Sequence, residues 1–443
     1  MITPLVDLQA QVLSQKTRIP SLYGEVDFSI VPERFAGGLA DTTMMPPSMA
    51  RHQRAAIVAD KARMDRALAY TMLGDIVADA YAALMPRYGF RRLIDMLSTA
   101  CEKGLDAVPD APAELVDFIQ SMERRPDWVD MSLVDEGARY SRNQTAILVP
   151  FAIRGAFIAT FMNKYSGLPM ALTGALSSET SVQRVKETAS FFATATLPGA
   201  LRRHGAGFRA AALVRLMHSM VRFNILKRSK KWDVAVYGIP IPQVDQMPAG
   251  TIPAFITAFE VTRAGRKHFN HRERSIVELC RYQSYLLGLP EDLLPDSPQA
   301  IVDTMMTYAA TLRDGYDDAT NGELVRSTMG AYLPADRSLR NRVYNTFENS
   351  FSKVFFSRAF LSNGNEHKAS QMGVEPDLRD YALFVGANLY VLPRLLATRV
   401  IQEIPVANRV VDHFLVKKIN QLLVSYGHAE YTTDAASYRE KPA

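Results

Sequence analysis

Gly207-Phe-Arg-Ala-Ala-Ala-Leu-Val-Arg-Leu-Met-His-Ser-Met-Val-Arg-Phe-Asn-Ile-Leu226 reads as one buried helix. On a 3.6-residue period Ala211, Val214, His218, Val221 and Ile225 form a single stripe, which sets an imidazole at the centre of an apolar face. Arg209, Arg215 and Arg222 lie off that stripe and bring positive charge to the same neighbourhood. A buried ring nitrogen without a partner costs about 1–3 kcal/mol. A buried carbonyl or hydroxyl would satisfy it. So would an iron atom, because a haem is a large apolar plate held by an axial histidine in a helical pocket. The helix alone leaves both open.

Helical periodicity continues on both sides of this segment. Apolar positions recur three and four apart over about 51–86, 91–103, 112–124 and 132–165, and Asp110 and Asp130 stand where N-caps are expected. Ser166-Gly-Leu-Pro169 predicts a break, after which helix resumes over about 178–197 and 207–228. Gly238 to Pro253 holds four prolines and predicts an irregular connection. Further helices are expected over about 254–265, 271–288, 297–314, 338–362, 377–404 and 406–426. Val234-Ala-Val-Tyr237 is the one plausible short strand. The expected architecture is all-α: a single large helical domain over 51–429, an N-terminal arm over 1–50 and a C-terminal tail over 430–443.

Composition restricts the function classes. The chain has 443 residues, 22% charged and 48% hydrophobic, which is ordinary globular composition. The net charge of +5 is small, and no basic stripe with interleaved aromatics points to nucleic acid. Lys227-Arg-Ser-Lys-Lys231 closes the histidine helix and complements its dipole. Two cysteines, Cys101 and Cys280, exclude a disulfide framework and fit a reducing compartment. The opening residues lack the pattern of a signal peptide. The longest apolar stretch, Thr145 to Met162, is interrupted by Arg154 and is shorter than the about 20 residues a span requires. A cytoplasmic protein without a transmembrane segment is the expectation; peripheral contact with a membrane stays open.

A second cluster lies at Val182-Gln-Arg-Val-Lys-Glu-Thr-Ala-Ser-Phe-Phe192, where Arg184, Glu187 and Thr188 share one helix face. An Arg, a carboxylate and a hydroxyl together can line a polar cavity or steer a small ligand such as dioxygen. They can equally form a solvated face with a local ion pair. His268-Phe-Asn-His271 has metal-like spacing but sits in a run of mixed charge, which favours exposed surface. Phe191, Phe192, Met217 and Met220 suit a core or a cofactor wall, and Cys280 suits a core.

These residues, in order and spacing, resemble a family of bacterial haem oxygenases. Arg184, Thr188 and Val-Arg-Leu-Met-His218 match its signature, and Pro126-Asp-Trp-Val-Asp130 resembles the start of an earlier family helix. Trp232-Asp-Val-Ala-Val-Tyr-Gly-Ile-Pro-Ile-Pro-Gln-Val-Asp245 is similar to the segment that follows the family's haem helix. The family is that of latex clearing protein and the fungal oxygenase of mycophenolic acid biosynthesis.

The resemblance implies haem b in a globin-like helical core, with His218 as the axial iron ligand and Arg215 and Arg222 beside the cofactor. Arg184, Glu187 and Thr188 would form the catalytic side. Known members cleave isoprenoid double bonds with dioxygen, so the implied partners are dioxygen and a hydrophobic, unsaturated small molecule. Three features depart from the pattern. Glu187 replaces a family lysine, Tyr165 to Met170 carries no counterpart of a family glutamate, and Phe223 replaces a histidine. Two other readings use the same pocket: a helical lipid or isoprenoid carrier without redox work, and a haem protein with peroxidase-like activity.

Overall fold

A computed structural model describes residues 2–172, 178–361 and 366–427. Among them regular structure is helical, and pairing of extended backbone is confined to two isolated bridges, Phe35↔Leu312 and Thr43↔Arg313. The all-α, single-domain expectation holds. The helices that place the site are α1 (Leu5–Arg18), α2 (Ile76–Ala82), α3 (Met131–Ile147), α4 (Val149–Ile158), α5 (Ser178–Ala195), α6 (Ala206–Arg228), α7 (Gln243–Arg263), α8 (His271–Leu286), α9 (Leu339–Phe360), α10 (Leu378–Gln402) and α11 (Ala407–Tyr426).

The histidine helix α6 is buried on almost every side. Most apolar residues from α2, α6 and the helices around them join one large cluster. A second cluster gathers α4 residues such as Phe157 and Ile158 with Phe356 of α9. Helix α5 bridges the two: Val185 and Ala189 belong to the second, Phe191 and Ala195 to the first.

Several local expectations change. The N-terminal fifty residues are no loose arm, because Leu8 and Val12 of α1, one turn apart, pack into the main core. Beyond α1, Glu33 and Arg34 donate their N–H groups to Ala235 and Val236 at 2.8 and 3.0 Å. The long helix expected over 132–165 turns by 93° between α3 and α4. Pro150 explains the turn, since it has no N–H to give the preceding helix. Arg154, which interrupts the apolar stretch, is fully buried against Glu348 at 2.7 Å and the carbonyls of Thr328, Met329 and Ala331 at 2.6–2.9 Å.

Residues 238–242 of the expected proline-rich connection are irregular, but from Gln243 onward it is helical, and α7 contains Pro248 and Pro253. Val244, Met247, Ala254, Ala258 and Val261 lie buried at helical spacing. That burial outweighs a cost of about 3 kcal/mol per interior proline. A helix over Lys164–Leu172 likewise contains Pro169 in place of the expected break. Val234–Tyr237 is a helical turn capped by Asp233, whose carboxylate accepts from the Ala235 N–H at 2.8 Å, so it is not a strand. Asp130 caps α3 as expected, but Asp110 sits in a turn at φ 53° and caps nothing. The tail expected over 430–443 lies outside the described residues.

Two described stretches, Lys61–Tyr88 and Leu378–Gln402, are long and apolar enough to cross a membrane by length and composition, which the sequence reading overlooked. The first is largely core; only 11% of the second is buried.

Candidate functional site

His218 lies deep in the molecule, desolvated by the protein around it, yet its side chain and that of Val214 one turn earlier keep some accessible surface. Their helical neighbours Ala211, Leu213, Met217 and Ser219 are buried. Accessible surface at that depth means that the packing against these two residues is incomplete. The ring is held from behind: His218 Nδ1 lies 2.9 Å from Gln246 Oε1. Gln246 Nε2 donates to Gln243 Oε1 at 3.3 Å, and Gln243 Nε2 donates to the Gly74 carbonyl at 3.3 Å. A carbonyl only accepts, so the chain of bonds is directional. It assigns the proton to Nδ1 and leaves a lone pair on Nε2.

Nε2 has no hydrogen-bond partner among the described residues. Burial lowers the His218 pKa, with the Gln246 hydrogen bond opposing and Arg222 assisting, so the ring is neutral at pH 7. A neutral imidazole with one nitrogen tied and the other bare is the form that ligates a metal.

Arg215 and Arg222 take a different role from the cofactor contact expected of them. Arg215 grips Asp75 through Nε at 2.5 Å and Nη2 at 2.9 Å, and donates to Ser121 Oγ at 2.9 Å. Arg222 pairs with Asp79, which also accepts from Tyr23 at 2.6 Å, and donates to the carbonyls of Pro240 (2.9 Å) and Ile241. Burial alone would lower both arginine pKa values; the adjacent carboxylates outweigh it and keep the guanidiniums charged. Buried charges need such partners. Both arginines are therefore neutralised within the protein rather than held free for a cofactor carboxylate. Arg222 also fixes Ile241 at φ 48°, rare for a β-branched residue, just before the two glutamines that orient His218.

On α5 the structure gathers Arg184, Glu187 and Thr188 on one face. Arg184 Nη1 donates to Glu187 at 3.1 Å, and Gln183 Nε2 donates to its other oxygen at 2.9 Å. Thr188 makes no hydrogen bond among the described residues and stays partly accessible. Phe191 and Ala195, further along the side of the helix that bears Arg184 and Thr188, pack in the cluster of α6. Burial raises the Glu187 carboxyl pKa, against the lowering pull of Arg184 and Gln183. Burial also lowers the Lys186 pKa.

The remaining motifs recede. His268 is exposed in a bend, and His271 begins α8 with Nε2 2.5 Å from Glu136, so the pair shares no helix face. Among the described residues no group of three or more His, Cys, Asp and Glu side chains could hold a metal. Cys280 is buried with its thiol pushed up to about 12, a core residue as expected. Asp75, Asp79, Gln243 and Gln246 were missed as site residues. The Gln243 and Asp245 positions of the segment after the histidine helix were the available signal.

The fold and this arrangement define a class. Residues 138–387 match the family described as ER-bound oxygenase mpaB/B'/Rubber oxygenase, catalytic domain. The match covers more than half of the chain, and the chain belongs to that family. It takes in His218, its glutamine relay and the α5 cluster. Among individual proteins, the chain is 21% identical over 187 residues to the rubber oxygenase of Streptomyces sp. (strain K30). That alignment covers 42% of this chain and 45% of the relative, so the chain spans less than half the length of the curated relative it matches. The solved structure of latex clearing protein in its closed state superposes with a TM-score of 0.56, covering 80% of this chain and 91% of that one at 15% identity. That likeness concerns the fold.

Proposed function

We propose that the protein is a haem b-dependent oxygenase that oxidises a hydrophobic, unsaturated, isoprenoid-like molecule with dioxygen. The observation that carries this reading is His218 itself, desolvated but not wholly buried, whose Nε2 has no hydrogen-bond partner among the described residues while Nδ1 is tied to Gln246. The residues present fit a haem, which asks the protein for one axial nitrogen and apolar walls. Bound there, haem would supply the activation of dioxygen. His218 would hold the iron, and Gln246 and Gln243 would fix its ring and tautomer. Arg184 and Thr188 would present donors to a small polar ligand. Glu187 would hold or release a proton at its carboxyl, since burial brings its pKa up toward working pH. Asp75 and Asp79 would keep the arginine charges behind the histidine neutralised, so that the walls stay apolar to the substrate. Family membership supports the oxygenase class, and the named relative is a rubber oxygenase, which supports an isoprenoid-like substrate.

An absorption spectrum of the purified full chain tests the reading. A Soret band that disappears in His218→Ala, with helical circular dichroism retained, is the expected result. A colourless, folded protein that cannot be loaded with haem and still binds isoprenoid would make it a carrier instead.

A further inference from the structure

Helices α10 and α11 form a hairpin against α3 and α9, and their outer side has no cover among the described residues. Leu378, Val385, Leu389, Leu392, Leu396 and Val400 are all at least half exposed, and Leu389 is 76% exposed. On a 3.6-residue period these six fall within an arc of about 80° along a helix about 37 Å long. Val406, Val410 and Phe414 continue the exposed surface onto α11 at one-turn spacing. So extended an apolar surface marks an interaction site.

The charges on the hairpin identify its occupant. It has three carboxylates, and each is held by a base of the protein body: Asp380 by Lys353 at 3.1 Å, Glu403 by Arg272 at 2.6 Å and Asp412 by Arg142 at 2.5 Å. Its six cations, Arg379, Arg394, Arg399, Arg409, Lys417 and Lys418, form no ion pair among the described residues. Arg399 and Lys417, both exposed, stand beside the apolar residues of α10 and α11 at helical spacing, and a second copy docked by two-fold symmetry would set them against their own counterparts. An anionic surface would neutralise them. Residues 428–443 contain no Leu, Ile, Val, Met or Phe with which to cover the stripe.

We infer that the α10–α11 hairpin is a peripheral docking surface for an anionic lipid bilayer. Its apolar stripe would lie in the interface, with the exposed Arg399, Arg409 and Lys417 at the headgroups. Tyr381 and Tyr390, both exposed, supply amphipathic rings suited to that depth. The hairpin lies along the surface rather than crossing it, because Ala387, Val391 and Gln402 tie the opposite side of α10 to the protein body. This inference is independent of haem at His218.

Flotation of the full-length protein with vesicles tests it. The protein is expected to float with phosphatidylcholine vesicles containing phosphatidylglycerol, and roughly tenfold less with phosphatidylcholine alone. Raising the salt to 0.5 M should release it. Leu389→Glu with Leu396→Glu should abolish flotation while circular dichroism is unchanged. Arg399→Glu with Lys417→Glu should weaken it through the charge alone, a second route should the first pair misfold. Wild-type protein that stays lipid-free with both vesicle types would overturn the inference. So would equal, salt-independent flotation in every variant, or a dimer in sedimentation that the Leu389/Leu396 pair dissolves without any vesicle binding.

Discussion

His218 Nδ1 and Gln246 Oε1 lie 2.9 Å apart, joining the middle of α6 to the first turn of α7. The two residues are 28 apart in sequence, and Arg222 holds the backbone between them by two carbonyl contacts. The neutral amide at Gln246 gives the ring orientation without the full negative charge of a carboxylate. Gln246→Leu should leave Nδ1–H unpaired and free the ring, weakening haem retention by roughly 10–100-fold. Transfer of haem to an excess of apo-globin measures that loss. Gln246→Glu should instead retain haem and lower its reduction potential, because a charged acceptor makes the imidazole more electron-rich. Unchanged values in both variants would remove Gln246 from the site.

Protonation of His218 gives a second expectation. Burial lowers its pKa in the folded state below the ordinary value of about 6.5. Above that pH neither state carries the proton and stability is full. As pH falls below about 6.5 the unfolded chain takes up a proton that the folded one refuses. Stability should then fall by up to about 1.4 kcal/mol per pH unit until the folded pKa is reached. Urea unfolding of the haem-free protein at pH 7.5 and 5.5 measures it, and His218→Gln should flatten the difference. Asp79 and Glu187, raised by burial, act with the opposite sign, so the comparison between variants isolates the histidine.

Glu187 and Arg184 should be separable by pH as well. Arg184 lies 3.1 Å from Glu187 and lowers a carboxyl pKa that burial raises. If the ionised carboxylate accepts a proton in turnover, Glu187→Gln should cut kcat by roughly 10²–10⁴ and remove the acid limb of its pH profile. Arg184→Ala should keep that limb and move it to higher pH. An acid limb unmoved in both variants would leave Glu187 a structural partner of Arg184.

Much of this architecture was legible in the sequence where one period ran uninterrupted. The stripe through His218 fixed α6, and Asp130 fixed the start of α3. Prolines misled in both directions. Pro248 and Pro253 sit inside α7 because tertiary burial overrides local propensity, a sum that no local window contains. Pro150, read as helix interior, turns the chain by 93°. Arg215 and Arg222 were recognisable as important but not as occupied, because their partners Asp75 and Asp79 lie 140 and 143 residues away. The exposed stripe of α10 was readable as a helix, but its exposure depends on what packs against the other side.

Gly288 offers a test of the buried charges that stands apart from any cofactor. Its φ is 88°, and a Cβ there would lie 2.2 Å from Asp75 Oδ2 and 2.5 Å from Arg215 Nε. Gly288→Ala must therefore part the ion pair or shift the turn after α8, in addition to straining the backbone. Breaking a buried pair costs about 3–5 kcal/mol. The left-handed conformation adds about 1–2 kcal/mol. Gly265, at φ 71°, has no atom within 4 Å of the same virtual Cβ, so Gly265→Ala should cost only the backbone component. Urea unfolding of the two variants should differ by about 3 kcal/mol or more. Equal losses would mean that Asp75 and Arg215 yield without penalty, and that the ion pair behind His218 contributes little to holding α6 in place.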